Sequence, residues 1–177
     1  MTDLPIRRHP RLKSYDYSQN GAYFVTFCTA GKEKILSKIR VGRDALIPPR
    51  VELTKIGTVV AQAIGKTEAA YPTVQLASSV IMPNHIHLLL TFDHPDGGMR
   101  ASRPTLAMVV RAIKTSVTRQ IGHSIWQDSF YEHVIRNEED FLNTMAYIQN
   151  NPAKWILQKK ENSDFERRER YDTIQNA

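Results

Sequence analysis

Apolar and polar positions follow two different periods along this chain, and the switches between them mark out the elements. Residues 21–29, from Gly21 to Thr29, are rich in aromatic and β-branched side chains and predict a strand. Residues 32–50 mix charge with glycine and the pair Pro48-Pro49, which predicts a loop or irregular insertion. From Leu53 the spacing becomes helical: Ile56, Val59, Val60, Ala63 and Ile64 share one side, and Pro72 bounds the segment. An apolar run over 73–82, a Pro83-Asn84 turn signal, and Ile86, Leu88, Leu90 and Phe92 at period two predict a hairpin of strands 73–82 and 84–92. Residues 93–103, with Asp96-Gly97-Gly98, predict a flexible loop. Helical spacing returns over 104–121, where Leu106, Val109, Val110, Ile113, Val117 and Ile121 face inward and Pro104 suits the first turn. A strand around Phe130–Arg136 and a helix over 138–151 follow. Asn137 suits the N-cap of that helix, Glu138, Glu139 and Asp140 suit its positive start, and Pro152 its end.

The order β-α-β-β-α-β is the split βαβ, or ferredoxin-like, pattern of the α+β class, built on one antiparallel sheet. The helices are expected to pack on the Ile86/Leu88 face and leave the opposite face open for a site. The 177 residues read as one domain over 1–177, with a basic arm at about 1–16 and a charged tail at about 158–177.

Composition narrows the class of partner. The hydrophobic content of 41% is that of a globular chain, while the net charge of +6 points to a polyanionic partner. A single cysteine, Cys28, excludes an internal disulfide and a Cys-rich zinc site, and inside a strand it reads as a small core residue. No stretch approaches the ~20 apolar residues of a membrane span and the N-terminus lacks a secretory apolar region, so no membrane partner and a cytoplasmic location are expected. Arg7, Arg8, Arg11 and Lys13 form an arm that is either solvated or a phosphate clamp. Arg111 and Lys114 share a helix face with Thr115 and Thr118, a phosphate-contacting stripe or a solvated polar face. Trp126 is available either to stack on unpaired bases or to pack a sheet edge.

Two positions carry candidate chemistry. His85 and His87 lie two apart in a strand, so both point to one face while Ile86 and Leu88 take the other. Such a pair is either two half-buried strand histidines or two ligands of one divalent cation, given a third ligand from elsewhere. In helix 138–151, Phe141, Leu142, Met145 and Ile148 form an apolar stripe at about 100° per residue, which puts Tyr147 on nearly the opposite side. Asn151 is four residues on, within roughly 40° of Tyr147. Alone, Tyr147 reads as a surface tyrosine. Beside a metal site it becomes a candidate nucleophile, because a phenol can attack phosphorus when a cation polarises the phosphate.

The ordered motifs Tyr15-Asp16-Tyr17, Gly21-Ala22-Tyr23-Phe24-Val25-Thr26, Met82-Pro83-Asn84-His85-Ile86-His87, Ile125-Trp126-Gln127, Tyr131-Glu132-His133-Val134-Ile135-Arg136-Asn137-Glu138 and Tyr147-Ile148-Gln149-Asn150-Asn151-Pro152 run through most of the chain. Together they resemble the HUH single-tyrosine transposases, in their REP-associated branch (REP, repetitive extragenic palindrome). The resemblance covers about residues 7–155. It implies a ferredoxin-like fold, His85 and His87 as metal ligands, Asn151 in the place of the third ligand, and Tyr147 as nucleophile. It further implies Mg²⁺ or Mn²⁺ as cofactor and single-stranded or hairpin DNA as substrate, cleaved and rejoined through a 5′-phosphotyrosine by a monomer or homodimer. Arg7, Arg8, Arg11, Lys13, Arg111, Lys114 and Trp126 are the expected DNA contacts. Two rivals stand beside this reading: a phosphodiesterase that uses water as nucleophile, and a hairpin-binding protein without turnover.

Overall fold

The computed structural model describes residues 20–42, 48–94 and 103–175, with side chains as far as Lys159. Arg7, Arg8, Arg11, Lys13, Tyr15, Tyr17 and Asp96-Gly97-Gly98 lie outside the described residues.

Strand β1 spans Gly21–Cys28. The segment expected to be irregular, 32–50, and the residues just after it form two short strands, β2 at Ser37–Arg40 and β3 at Arg50–Leu53, which pair antiparallel in a sheet of their own. Four residues on each side are too few to show a period, so the pairing is invisible until the register is known. The Ser37 hydroxyl donates to the Ile81 carbonyl at 2.8 Å and ties this ribbon to the main sheet. Helix α1, Lys55–Gly65, begins where the Thr54 hydroxyl accepts from the Gly57 N–H at 3.0 Å. A short helix α2 at Thr67–Ala70 leads to β4, Val74–Ile81, and the turn at 82–84 to β5, His85–Phe92. Helix α3, Leu106–Ile121, is capped by Thr105, so Pro104 precedes the helix rather than occupying its first turn. Gly122 closes it in the left-handed conformation, φ 91°. Strand β6, Tyr131–Ile135, leads into α4, Glu138–Gln175.

The main sheet runs β4-β5-β1-β6, every neighbour antiparallel, which is the ferredoxin-like order. One face carries Tyr23, Val25, Phe27, Ile86, Leu88 and Leu90 and forms the principal core with Val60 and Ile64 of α1 and Leu106, Val109, Val110, Ile113 and Val117 of α3. The other face was expected to stand open. Instead α4 lies on it: Ile148 is buried against Phe24 and Leu89, with Phe141 and Met145 alongside. Two layers of helix therefore enclose the sheet, and His87 is only 4% exposed.

The expected helix end at Pro152 is also corrected, since α4 continues through that residue. Proline removes one helical hydrogen bond, a local cost of ~3 kcal/mol. The following turn keeps its place through Trp155, whose ring lies 5.8 Å from that of His85.

Candidate functional site

Side-chain rows across the sheet assemble the site. The register aligns Val80 with His87, His87 with Thr26, and Thr26 with Tyr131, all on the face under α4. His85 and His87 point the same way, with ring centroids 4.7 Å apart. Each ring has an orienting oxygen on one nitrogen. His85 Nδ1 is 2.8 Å from Asn84 Oδ1, and His87 Nδ1 is 2.7 Å from Thr26 Oγ1. This leaves the Nε2 atoms inward, and that of His87 is buried with no hydrogen-bond partner. Burial, reinforced by the nearby His85, pushes the His87 pKa down to about 3, so its imidazole is neutral with a lone pair available. Burial also lowers the His85 pKa, opposed by a side-chain hydrogen bond with Asn151.

Helix α4 brings the remaining groups. Asn137 Oδ1 accepts from the Asp140 N–H at 2.8 Å and so caps the helix as expected. Asn151 is buried beside His85, and Tyr147, 40% exposed, places its ring 5.3 Å from that of His87 and 5.8 Å from that of Phe24. Tyr147 is thus at the border of the packed face, not opposite it. The expected stripe included Leu142, which is 56% exposed, and omitted Thr144 and Asn151, which are buried. Counting the buried polar residues turns the packed face toward Tyr147. Lys154 lies on the other side of the phenol, with Nζ 4.7 Å from the ring centre.

The neutral His87 imidazole with its orphaned buried Nε2, the His85 imidazole beside it and the Asn151 amide suit a divalent cation, with two nitrogens and an amide oxygen as donors. No three His, Cys, Asp or Glu among the described residues are grouped so as to hold a metal ion, so an amide is the third donor available here.

Other expected site residues lie elsewhere. Trp126 is 7% exposed, packs edge-to-face on Phe27 at 5.3 Å, and donates from Nε1 to the Lys114 carbonyl at 3.2 Å. It belongs to the core and offers no face for base stacking. Trp126→Ala should cost about 3–5 kcal/mol in denaturant unfolding while leaving the DNA affinity of the folded protein unchanged. Lys114 is half-buried. Its ammonium donates to the carbonyls of Gln127 and Ser129 at 2.7 and 3.1 Å, and so tethers the segment after α3. Arg111 is exposed, but α3 covers the sheet face opposite to Tyr147. Closer to Tyr147, His133 is hydrogen-bonded to Asp140 at 2.9 Å.

Sequence reasoning missed Thr26, Asn84, Lys34, Lys154 and Trp155. Trp155 follows Asn151 by four residues, a helical spacing that becomes legible once α4 is carried past Pro152. Lys34 Nζ lies 5.9 Å from the Trp155 ring centre, and the two line a pocket of about 160 Å³ with Gln158 and Lys159.

No family profile matches the chain. It is 32% identical over 168 residues to an uncharacterised protein of Haemophilus influenzae, covering 84% of this chain and 89% of that one. A second protein of that organism, provisionally named a REP-associated tyrosine transposase, is 27% identical over 154 residues, 78% of this chain and 74% of its own length. The REP-associated tyrosine transposase of Escherichia coli is 34% identical over 82 residues, 45% of this chain and 46% of its own length. Among solved structures, that of the REP-associated tyrosine transposase bound to a REP hairpin superposes with a TM-score of 0.56 at 28% identity, covering 81% of this chain and 73% of that one. Fold and relatives together support an enzyme of the tyrosine transposase class, and within it they support the REP-associated tyrosine transposase family for this chain. No helix among the described residues is long and apolar enough to cross a membrane.

Proposed function

We propose that this protein cleaves and rejoins single-stranded DNA beside hairpins of the repetitive-palindrome type, with Tyr147 as nucleophile. The observation that carries the reading is the exposed Tyr147 phenol set against His87, whose buried Nε2 has no partner. His85, His87 and Asn151 would hold Mg²⁺ or Mn²⁺, which withdraws charge from a phosphate oxygen when bound. Thr26 and Asn84 hold the two imidazoles through Nδ1, so that Nε2 is the nitrogen each would offer to that cation.

The Tyr147 oxygen forms a bond to phosphorus as the bond from phosphorus to the 3′-oxygen of the preceding nucleotide breaks. The phenol loses its proton and the departing 3′-oxygen gains one. The products are a 5′-phosphotyrosyl link and a free 3′-hydroxyl. Lys154 sets its ammonium against the Tyr147 ring, Nζ 4.7 Å from the ring centre, and so favours the negative charge that develops on the phenol oxygen. The link retains the energy of the broken ester, so attack by another 3′-hydroxyl joins new ends without an external energy source. Labelled hairpin DNA with single-stranded flanks, incubated with the protein and Mn²⁺, should give a covalent adduct on a denaturing gel, the label entering with the 5′ phosphate. Cleavage without an adduct would favour water as nucleophile, and binding without cleavage a non-catalytic protein.

Among the described residues, Lys32 acts electrostatically on His85, Lys154 stands against the Tyr147 ring, and Lys34 and Lys159 line the Trp155 pocket, so the electrostatic share of DNA binding should reside there rather than on α3. Replacing Lys34 and Lys159 together by Ala should make the slope of log affinity against log salt shallower by about 1.4, two contacts at about 0.7 each for a single strand. Arg111→Ala should change that slope less. The reverse order would move the DNA path to the other side of the sheet.

A further inference from the structure

We propose that a pocket beside Tyr147 receives the unpaired base of a nucleotide flanking the scissile phosphate, a reading that rests on Tyr147 as nucleophile. The pocket, of about 360 Å³, is lined by Phe24, Tyr131, His133, Asn143, Thr144 and Tyr147. Tyr131 is on the same cross-strand row as His87, with Thr26 between them. With strands roughly 4.8 Å apart, the two backbones are about 10 Å apart, so a nucleotide next to a phosphate at His87 reaches Tyr131.

The chemistry of the lining selects a base over a phosphate. Among the described residues no lysine or arginine lines this pocket, whereas the pocket at Trp155 carries two, Lys34 and Lys159. Tyr131 is 56% exposed on an edge strand, a large ring face such as single-stranded nucleic acids use for stacking. Phe24 forms an apolar floor. Asn143 supplies both a donor and an acceptor for a base edge, and Thr144 a hydroxyl. His133 is held by Asp140 through Nε2, which fixes its ring in the wall.

The test is a binding cycle, read by fluorescence anisotropy with chelator present so that no cleavage occurs. The probe is hairpin DNA with single-stranded flanks, and each flank nucleotide in turn is made abasic. One position should weaken binding by the parent protein on the order of tenfold, the size of one base–aromatic stack. Tyr131→Ala should weaken binding of the intact DNA by a similar factor and lose its sensitivity at that position, while Tyr131→Phe retains both. Tyr131 is exposed, so both variants should fold, and circular dichroism checks this. The proposal is overturned if no flank position matters to the parent, or if Tyr131→Ala keeps the full abasic effect. Failure of the covalent adduct in the gel assay would remove the nucleophile reading alone, because the binding cycle requires no turnover.

Discussion

Tyr147→Phe should abolish covalent capture of DNA while leaving fold and binding nearly intact. The substitution removes one oxygen from a side chain 40% exposed, and the ring contacts with Phe24, His87 and Lys154 all remain. Loss at such a position is usually within about 0.5 kcal/mol, so the thermal midpoint should hardly move. Cleavage, in contrast, should fall below detection, because no other phenol among the described residues lies against the histidine pair. Parent and variant run side by side on a denaturing gel with Mn²⁺ decide the matter. Cleavage by the phenylalanine variant at the parent's rate would make water the nucleophile.

His87→Leu is expected to separate function from stability. It replaces a buried imidazole by an apolar side chain of similar size, and it removes the nitrogen left without a partner. An unsatisfied buried polar group costs about 1–3 kcal/mol, which the substitution recovers in part. Thr26 loses its partner and limits the gain, so the unfolding free energy should stay within about 1 kcal/mol of the parent or rise. Calorimetric binding of Mn²⁺ should disappear. Cleavage should fall by about three orders of magnitude or more, since polarising a phosphate oxygen contributes several kcal/mol. Undiminished Mn²⁺ binding by the leucine variant would rule out His87 as a ligand.

Elements with long, regular apolar patterns were legible in the sequence. The strands at 21–29, 73–82 and 84–92 and the helix at 104–121 stand close to where their periods put them. The same periodicity places His85 and His87 on one face. What escaped was set by contacts between distant residues. The β2–β3 ribbon is held by register and by Ser37 on the Ile81 carbonyl, neither of which leaves a local period. The packed face of α4 was misjudged because Thr144 and Asn151 are buried although polar, and a stripe drawn from apolar residues alone excludes them. Trp126 offered two readings, and the choice depends on Phe27 and the Lys114 carbonyl, both distant in sequence. Lys114 illustrates the same limit, because its charge suggested an anion while its ammonium is held by two backbone carbonyls.

Tyr147 meets the histidines of its own chain, carried there by a helix lying on the same chain's sheet. Stoichiometry follows from that. Under the proposed chemistry, each polypeptide holds at most one DNA end and stays out of circulation until a 3′-hydroxyl releases it. A DNA segment bounded by two cuts therefore engages two polypeptides at once, or one polypeptide twice in succession. In the first case the yield of excised segment rises with the square of the fraction of competent chains, and in the second with that fraction itself.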